Sequence, residues 1–343
     1  MQFFKMILID SIYIHSYGGL NILRAFVKGL SNSGIDKTKF HFLIDNRINI
    51  ENIEELKVYK TIRVKPSHFS RKKVYESIFK NYDKIICLSN IPPPIKIDRE
   101  VYIYFHNLLL ISSSLKLSSP FAFFLNFIKL QYIKSFNQKS YKWVTQTNYS
   151  KILLSNRLNI EEKLIKVLPF FDVSDISYSK RNFNSKTVSY LCVSNNSKHK
   201  NIKKMINAFC KSNFDVNKHV ELYITSKGKN KSMDNKRITF LGYVDRKTLI
   251  DKYSKSHYIV FPSMIESLGL PIIEAITSGA NIISSDIESI KEVAKPSLKF
   301  NPKKLSEIKI AFENSAKHFY NSNSKLTIKN EINNFIKLIN NNV

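Results

Sequence analysis

The sequence predicts an α/β protein built from two Rossmann-like, doubly wound parallel-sheet domains in tandem. Three observations point there. Short apolar runs alternate with helical patterns along nearly the whole chain, as in parallel strands joined by crossover helices. The alternation breaks once, near residue 168, and then restarts. A length of 343 residues also exceeds what one core usually supports.

In order, KMILIDSI reads as the first strand, and after Gly18 and Gly19 the residues Leu20, Leu23, Phe26, Val27 and Leu30 recur at helical spacing. A glycine turn is therefore expected between that strand and an amphipathic helix. KFHFLID, KIICLSN, VYIYFHN and KWVTQT read as further strands, with an apolar, basic helix over about 119–136 between the last two. From Leu168 the period loosens into LPFFDVSDISYSKRNFNSK, a mixture that suits a linker. TVSYLCVSN restarts the pattern, a helix follows from about Asn201, and HVELYITS, RITFLG, HYIVFPS and NIISSD read as strands. The final helices follow Asn301-Pro302 and end in an Asn-rich tail expected to fray. The expected boundaries are 1–168 for the first domain, 169–186 for the linker, 187–320 for the second domain and 321–343 for a C-terminal helix and tail.

Hydrophobic residues at 43% and aromatics at 12% exclude a disordered chain. The formal charge of +27 calls for a polyanionic partner: a phosphorylated ligand, an anionic membrane or a nucleic acid. Nucleic acid fits poorly, because the basic residues are spread along the chain without the basic–aromatic interleaving of a base-stacking surface. Cys87 and Cys192 fall in strand-like runs and Cys210 stands apart, so reduced thiols in a cytosolic protein are expected and no metal spacing is present. The opening MQFFKMILID meets Asp10 too soon for a signal peptide, and the longest apolar run, PFAFFLNFI, is about half a membrane span.

The chemistry concentrates in FPSMIESLGLPIIEAITSGANIISSD, residues 261–286. Gly269-Leu270-Pro271 starts a helix with proline at a favoured early position, and the unpaired N–H groups there suit a phosphate. Glu274, one turn in, can point back to the same end and accept two hydroxyls of a sugar, or it can merely complement the helix dipole. Glu266 alone reads as a loop acid.

P-S-x-x-E-S-x-G-L-P-x-x-E-A followed by G-A-N-I-I-S-S-D resembles the signature of retaining glycosyltransferases of family 4, which have the GT-B fold of two Rossmann-like domains facing across a cleft. Gly18-Gly19, His106-Asn107, VTQTNYSKILL, the HKN at 199–201 and FLGYVDRKTLIDKYSKS agree in order, so the resemblance spans about residues 5–320. It implies a nucleoside diphosphate sugar donor bound mainly by the second domain and an acceptor bound mainly by the first. Glu274 would hold the ribose, Glu266 the hydroxyls of the transferred sugar and Lys200 the diphosphate. An ammonium there can neutralise charge growing on the leaving nucleotide. Gly18, Gly19, Gly269 and Leu270 would offer backbone donors, although a double glycine is often only a turn. His106 would stand near the donor sugar, or be a packed histidine. Tyr243 and Val244 would line the base, or simply pack. Where the family carries an arginine before the lysine, this chain has Asn195, and Lys198 would take over the charge without arginine's bidentate geometry.

The resemblance implies front-side displacement with no side-chain nucleophile, no cofactor and no metal. Between Glu100 and Glu161 the chain has no acid but carries Lys116, Lys129, Lys134, Lys139, Lys142, Lys151 and Arg157, with PFAFFLNFIKLQYIKSF among them. That face could rest on an anionic leaflet and reach a lipid-linked glycan, or it could be a core helix with a solvated basic flank. The expectation is a cytoplasmic enzyme at the inner face of a bacterial plasma membrane, acting in O-antigen or capsule assembly. The rival readings are a catalytically silent GT-B subunit, a sugar-nucleotide 2-epimerase and a nucleic-acid-binding protein.

Overall fold

The computed structural model describes residues 6–15, 17–112, 119–180, 186–228, 237–317 and 324–340. Lys5 at the head of the first expected strand, Lys116 of the basic run, residues 181–185 of the expected linker, and residues 321–323 and 341–343 of the expected C-terminal segment lie outside the described residues. The chain divides into two compact units. One comprises Met1–Ser112, Phe124–Asp172 and Lys329–Val343; the other comprises Ser113–Phe123 and Val173–Ile328.

The first unit holds strands β1 (Ile7–Ser11), β2 (Phe40–Asp45), β3 (Lys60–Val64), β4 (Lys84–Cys87), β5 (Glu100–Phe105), β6 (Lys142–Thr145) and β7 (Ile165–Val167), with helices α1 (Tyr17–Asn32), α2 (His68–Ile78), α3 (Pro120–Phe136) from Phe124 onward, and α4 (Asn148–Leu158). The strands form one parallel sheet in the order β3-β2-β1-β4-β5-β6-β7. Helices cover a parallel sheet on both faces, which is why ILIDS is buried at every position and reads as a continuous apolar run. The strand order reverses between β1 and β4, so the loops leaving those strands flank the crevice where such sheets bind ligands.

The loop after β1 is shaped by buried charge. Asp10 accepts bonds from Arg71 Nε at 2.8 Å and Tyr75 at 2.6 Å, and its other oxygen accepts the Ile12 N–H at 3.0 Å. A buried carboxylate without those donors would be strongly destabilising. Tyr13 then takes a left-handed backbone, with φ of 77°, and donates its N–H to Asp45. These residues, and not Gly18 and Gly19 as the sequence suggests, make the turn after β1. The two glycines lie instead in the first turn of α1, and no described atom comes within 4 Å of where a Cβ on Gly18 would sit.

The second unit holds β8 (Thr187–Cys192), β9 (His219–Ile224), β10 (Ile238–Phe240), β11 (Tyr258–Phe261), β12 (Asn281–Ser285), β13 (Ala294–Lys295), β14 (Leu298–Phe300) and β15 (Lys325–Leu326). Its helices are α5 (Ile202–Cys210), α6 (Arg246–Lys255), α7 (Leu270–Thr277), α8 (Glu288–Val293) and α9 (Leu305–Lys317). Six strands form a parallel sheet in the order β10-β9-β8-β11-β12-β14, while β13 and β15 pair antiparallel. The reversal here falls between β8 and β11.

The expected C-terminal helix is α10 (Ile332–Asn340), which belongs to the first unit and buries Phe335, Ile336 and Ile339 in its core, while residues 341–343 of the tail expected to fray lie outside the described residues. Phe335 stacks on Phe170 at 5.4 Å, and a Cβ on Gly29 of α1 would come within 2.3 Å of Ile332, so the glycine is what lets the helices approach. The division between the units, at Asp172 and Val173, falls inside the stretch read as a linker, and residues on either side of it are buried. Phe170 lies in the first unit's core and Ile176 is buried in the second unit.

Candidate active site

The loops leaving β8 and β11 bring the second unit's candidate residues together at the sheet's switch point. Lys200 ends a short helical turn after β8, and Glu266 stands in the loop between β11 and α7. Lys200 Nζ lies 2.5 Å from Glu266 Oε2 and 5.5 Å from the centre of the Phe261 ring. The Met264 N–H donates to the His199 carbonyl at 2.8 Å, so the two loops are also joined through backbone. Burial, aided by the Lys200 charge, pushes the His199 imidazole down to about 4, so it is neutral at pH 7. Lys200 therefore has no second full positive charge from its neighbour.

Gly269 caps α7 with φ of 69°, a conformation that costs other residues energy. A Cβ there would meet Glu266 Cγ and Ile272 Cδ1 at 3.4 Å. The tight glycine cap thus sets the glutamate's distance from the helix start, where Pro271 occupies an early position and needs no donor.

Glu274 is 3% exposed. One of its oxygens accepts from Arg246 Nη1, and the other accepts the Tyr253 hydroxyl at 2.8 Å. Burial raises its pKa and the Arg246 charge opposes that rise. Arg246 also forms a fork with Asp175, through Nε at 2.8 Å and Nη2 at 2.9 Å. Glu274 is thus caged by cation and hydroxyl, which is more than a solvated complement to the helix dipole.

The other candidates in this unit lie at the surface. Lys198 is exposed, and the Asn195 carbonyl oxygen accepts the Ser197 N–H at 3.1 Å, which commits that side chain to a local turn. Tyr243 is 81% exposed beside Gly242, whose φ is 68°, so it contributes an open aromatic face and is not packed in the core; Val244 and Leu270 are half-buried.

In the first unit, His106 follows β5. Its N–H donates to Asn90 Oδ1 at 2.6 Å, and its Nε2 lies 3.1 Å from both the Asn90 amide nitrogen and the Leu88 carbonyl oxygen, the tautomer deciding which bond forms. Burial pushes its pKa down to about 4, against the Leu88 carbonyl, which favours the proton. Arg246, Tyr253, Asp175 and Phe261 carry no motif that points to the site from sequence. FLGYVDRKTLIDKYSKS contains two of them, but no periodic signal marks them as neighbours of Glu274.

Residues 174–301 match the family described as Glycosyl transferases group 1. They form a glycosyl transferases group 1 domain. Over 56 residues the chain is 39% identical to the O-antigen chain mannosyltransferase B of Escherichia coli, a match covering 16% of this chain and 15% of that protein. The lipopolysaccharide outer core galactosyltransferase WaaB superposes with a TM-score of 0.66 at 13% identity, covering 98% of this chain and 99% of that one. HepE from Anabaena, solved in complex with UDP and glucose, superposes with a TM-score of 0.63 at 13% identity, covering 98% of this chain and 95% of that one. The chain has the GT-B fold of these structures.

Proposed function

We propose that this glycosyltransferase moves a hexose or deoxyhexose from a nucleoside diphosphate sugar to a glycan acceptor with retention of anomeric configuration. The observation that carries the reading is the Lys200–Glu266 pair beside the glycine-capped start of α7, with Glu274 one turn into that helix. Lys200 would neutralise the diphosphate, with the Leu270 N–H at the start of α7 as a neutral donor because Pro271 has none and the Ile272 N–H bonds the Gly269 carbonyl; Glu266 would accept the hydroxyls of the transferred sugar and Glu274 those of the ribose. Exposed Tyr243, with Val244, offers a face for the base.

In the reaction the bond between the anomeric carbon and the diphosphate oxygen breaks while the acceptor oxygen bonds to the same face. The acceptor proton passes to the departing phosphate. The protein's contribution is charge stabilisation and orientation. Without donor, Glu266 occupies the Lys200 ammonium, so donor binding exchanges one anionic partner for another and leaves neither residue bare. His106 and the start of α1 at Gly18 and Gly19 are read as contributions of the first unit, which by the same resemblance receives the acceptor.

The acceptor is read as lipid-linked, at the inner face of a bacterial plasma membrane, in O-antigen or capsule assembly. Support comes from α3, where Phe121, Phe124, Phe127 and Ile128 are exposed alongside Lys129 and Lys134. Apolar groups next to lysines suit the boundary of an anionic leaflet. Among the described residues no helix is long and apolar enough to cross a membrane.

The test is transfer from radiolabelled UDP-, GDP- and dTDP-hexoses to lipid extracts from polysaccharide-producing bacteria, in anionic and in neutral vesicles. Organic-soluble label bearing the donor's anomeric configuration, formed faster on anionic vesicles, is the expected result. An inverted linkage would refute the retaining mechanism, and equal sedimentation with both vesicle types at low salt would refute the membrane role of α3.

A further inference from the structure

Arg246 opens α6, where the positive end of the helix dipole disfavours a cation. The helix start is already capped by Asp245, whose side chain accepts the Thr248 N–H at 2.7 Å. The arginine therefore contributes nothing to the helix terminus, and its bonds lead elsewhere. Nε and Nη2 grip both oxygens of Asp175, a paired geometry that fixes the guanidinium plane. The remaining terminal nitrogen, Nη1, then meets Glu274 Oε1, while Tyr253 of the same helix holds Oε2 from the other side.

An ionised carboxylate offers about four acceptor positions. Arg246 and Tyr253 take one on each oxygen of Glu274, which leaves acceptor capacity on both oxygens, the arrangement that two vicinal hydroxyls require. Burial by itself favours the neutral acid, which could accept less well, and the Arg246 charge is the leading influence against that. The titratable groups facing Glu274 are Arg246 and Tyr253 of α6 and Asp175 of the segment before β8, with buried Cys192 beyond Tyr253.

We propose that Arg246 is a positioning residue for donor binding: oriented by Asp175, its guanidinium holds the Glu274 carboxylate aimed to accept the hydroxyls of a nucleoside diphosphate's ribose. The proposal rests on the reading of Glu274 as the ribose ligand. It gives the Asp175–Arg246–Glu274 chain a role in affinity and in its pH dependence, beyond tying residue 175 to the domain.

The test is calorimetric titration of the whole protein and its R246Q, D175N and E274Q variants with UDP, GDP, dTDP and ADP near pH 6 and pH 8. The wild type is expected to bind one of these with little pH dependence. For R246Q, affinity falls ~10–100-fold near pH 6 and markedly less near pH 8, because Glu274 without its cation takes up a proton at higher pH. For D175N, with the cation kept but no longer oriented, affinity falls severalfold at both pH values. If R246Q and D175N lower the melting temperature but leave affinity and its pH dependence unchanged, the arginine is a structural tie and the proposal fails. Should R246Q not fold, D175N decides in the same way. Wild-type-like binding by E274Q would overturn the ribose reading itself. Weakened E274Q beside unaffected R246Q and D175N would overturn only the role given to Arg246.

Discussion

Lys200 Nζ and Glu266 Oε2 stand 2.5 Å apart, joining the loops that leave the two strands at the switch point of the second sheet. Both side chains are mostly buried, at 16% and 18% exposure. The role proposed for them in transfer and their role in folding are separable. K200A is expected to lower kcat by ~100- to 1,000-fold, the scale for losing one charge-stabilising group, at a stability cost of about 1–3 kcal/mol from leaving Glu266 unpaired. Steady-state transfer kinetics beside urea denaturation check this, and a loss of stability without loss of turnover would mark the pair as structural.

Gly269 links backbone geometry to the same site. G269A forces a Cβ into a left-handed position 3.4 Å from Glu266 Cγ, so a cost of about 1–2 kcal/mol and a raised donor KM are expected together. Thermal melting and donor titration measure the two effects.

Stability should fall on mild acidification. An unfolded histidine takes up its proton near 6.5, whereas His106 and His199 are held down to about 4. Between those values the unfolded chain binds more protons, so unfolding is favoured as pH drops, by up to about 1.4 kcal/mol per pH unit for each histidine. Glu274, whose pKa burial raises, acts in the opposite direction and reduces the slope. Urea midpoints near pH 7.5, 6 and 5 should fall in that order, with a shallower fall in H199N.

The helix at the far end of the chain is part of the first core. F335A removes a ring packed on Phe26, Tyr104 and Phe170 and should cost about 3–5 kcal/mol. Denaturation followed by the fluorescence of the single tryptophan, Trp143 in β6 of the same unit, should show the shift.

Much of the fold was legible because buried parallel strands such as FHFLID and TVSYLC are continuous apolar runs whose meaning depends little on context. β3 was not: KTIRV alternates charge with apolar residues and lies at a sheet edge, with only Val64 fully buried. A C-terminal helix was expected, but its place in the first core was hidden by its asparagines, since only Phe335, Ile336 and Ile339 of α10 are fully buried. The motif from Ser263 to Glu274 is local, so its glycine cap and acids could be read from a dozen residues. The cage around Glu274 could not, because Arg246 lies 28 positions away in sequence and Asp175 lies 71 positions from Arg246. Only the folded sheet and α6 bring them together.

The most direct measurement is a thermal-shift series of UDP-, GDP-, dTDP- and CMP-sugars on the wild type and on E274A. A ligand at 100 times its Kd stabilises by about 2.7 kcal/mol. The expected result is a rise of several degrees with one donor class, lost or strongly reduced in E274A. No rise with any donor, or the same rise in both proteins, would contradict a donor site built on Glu274.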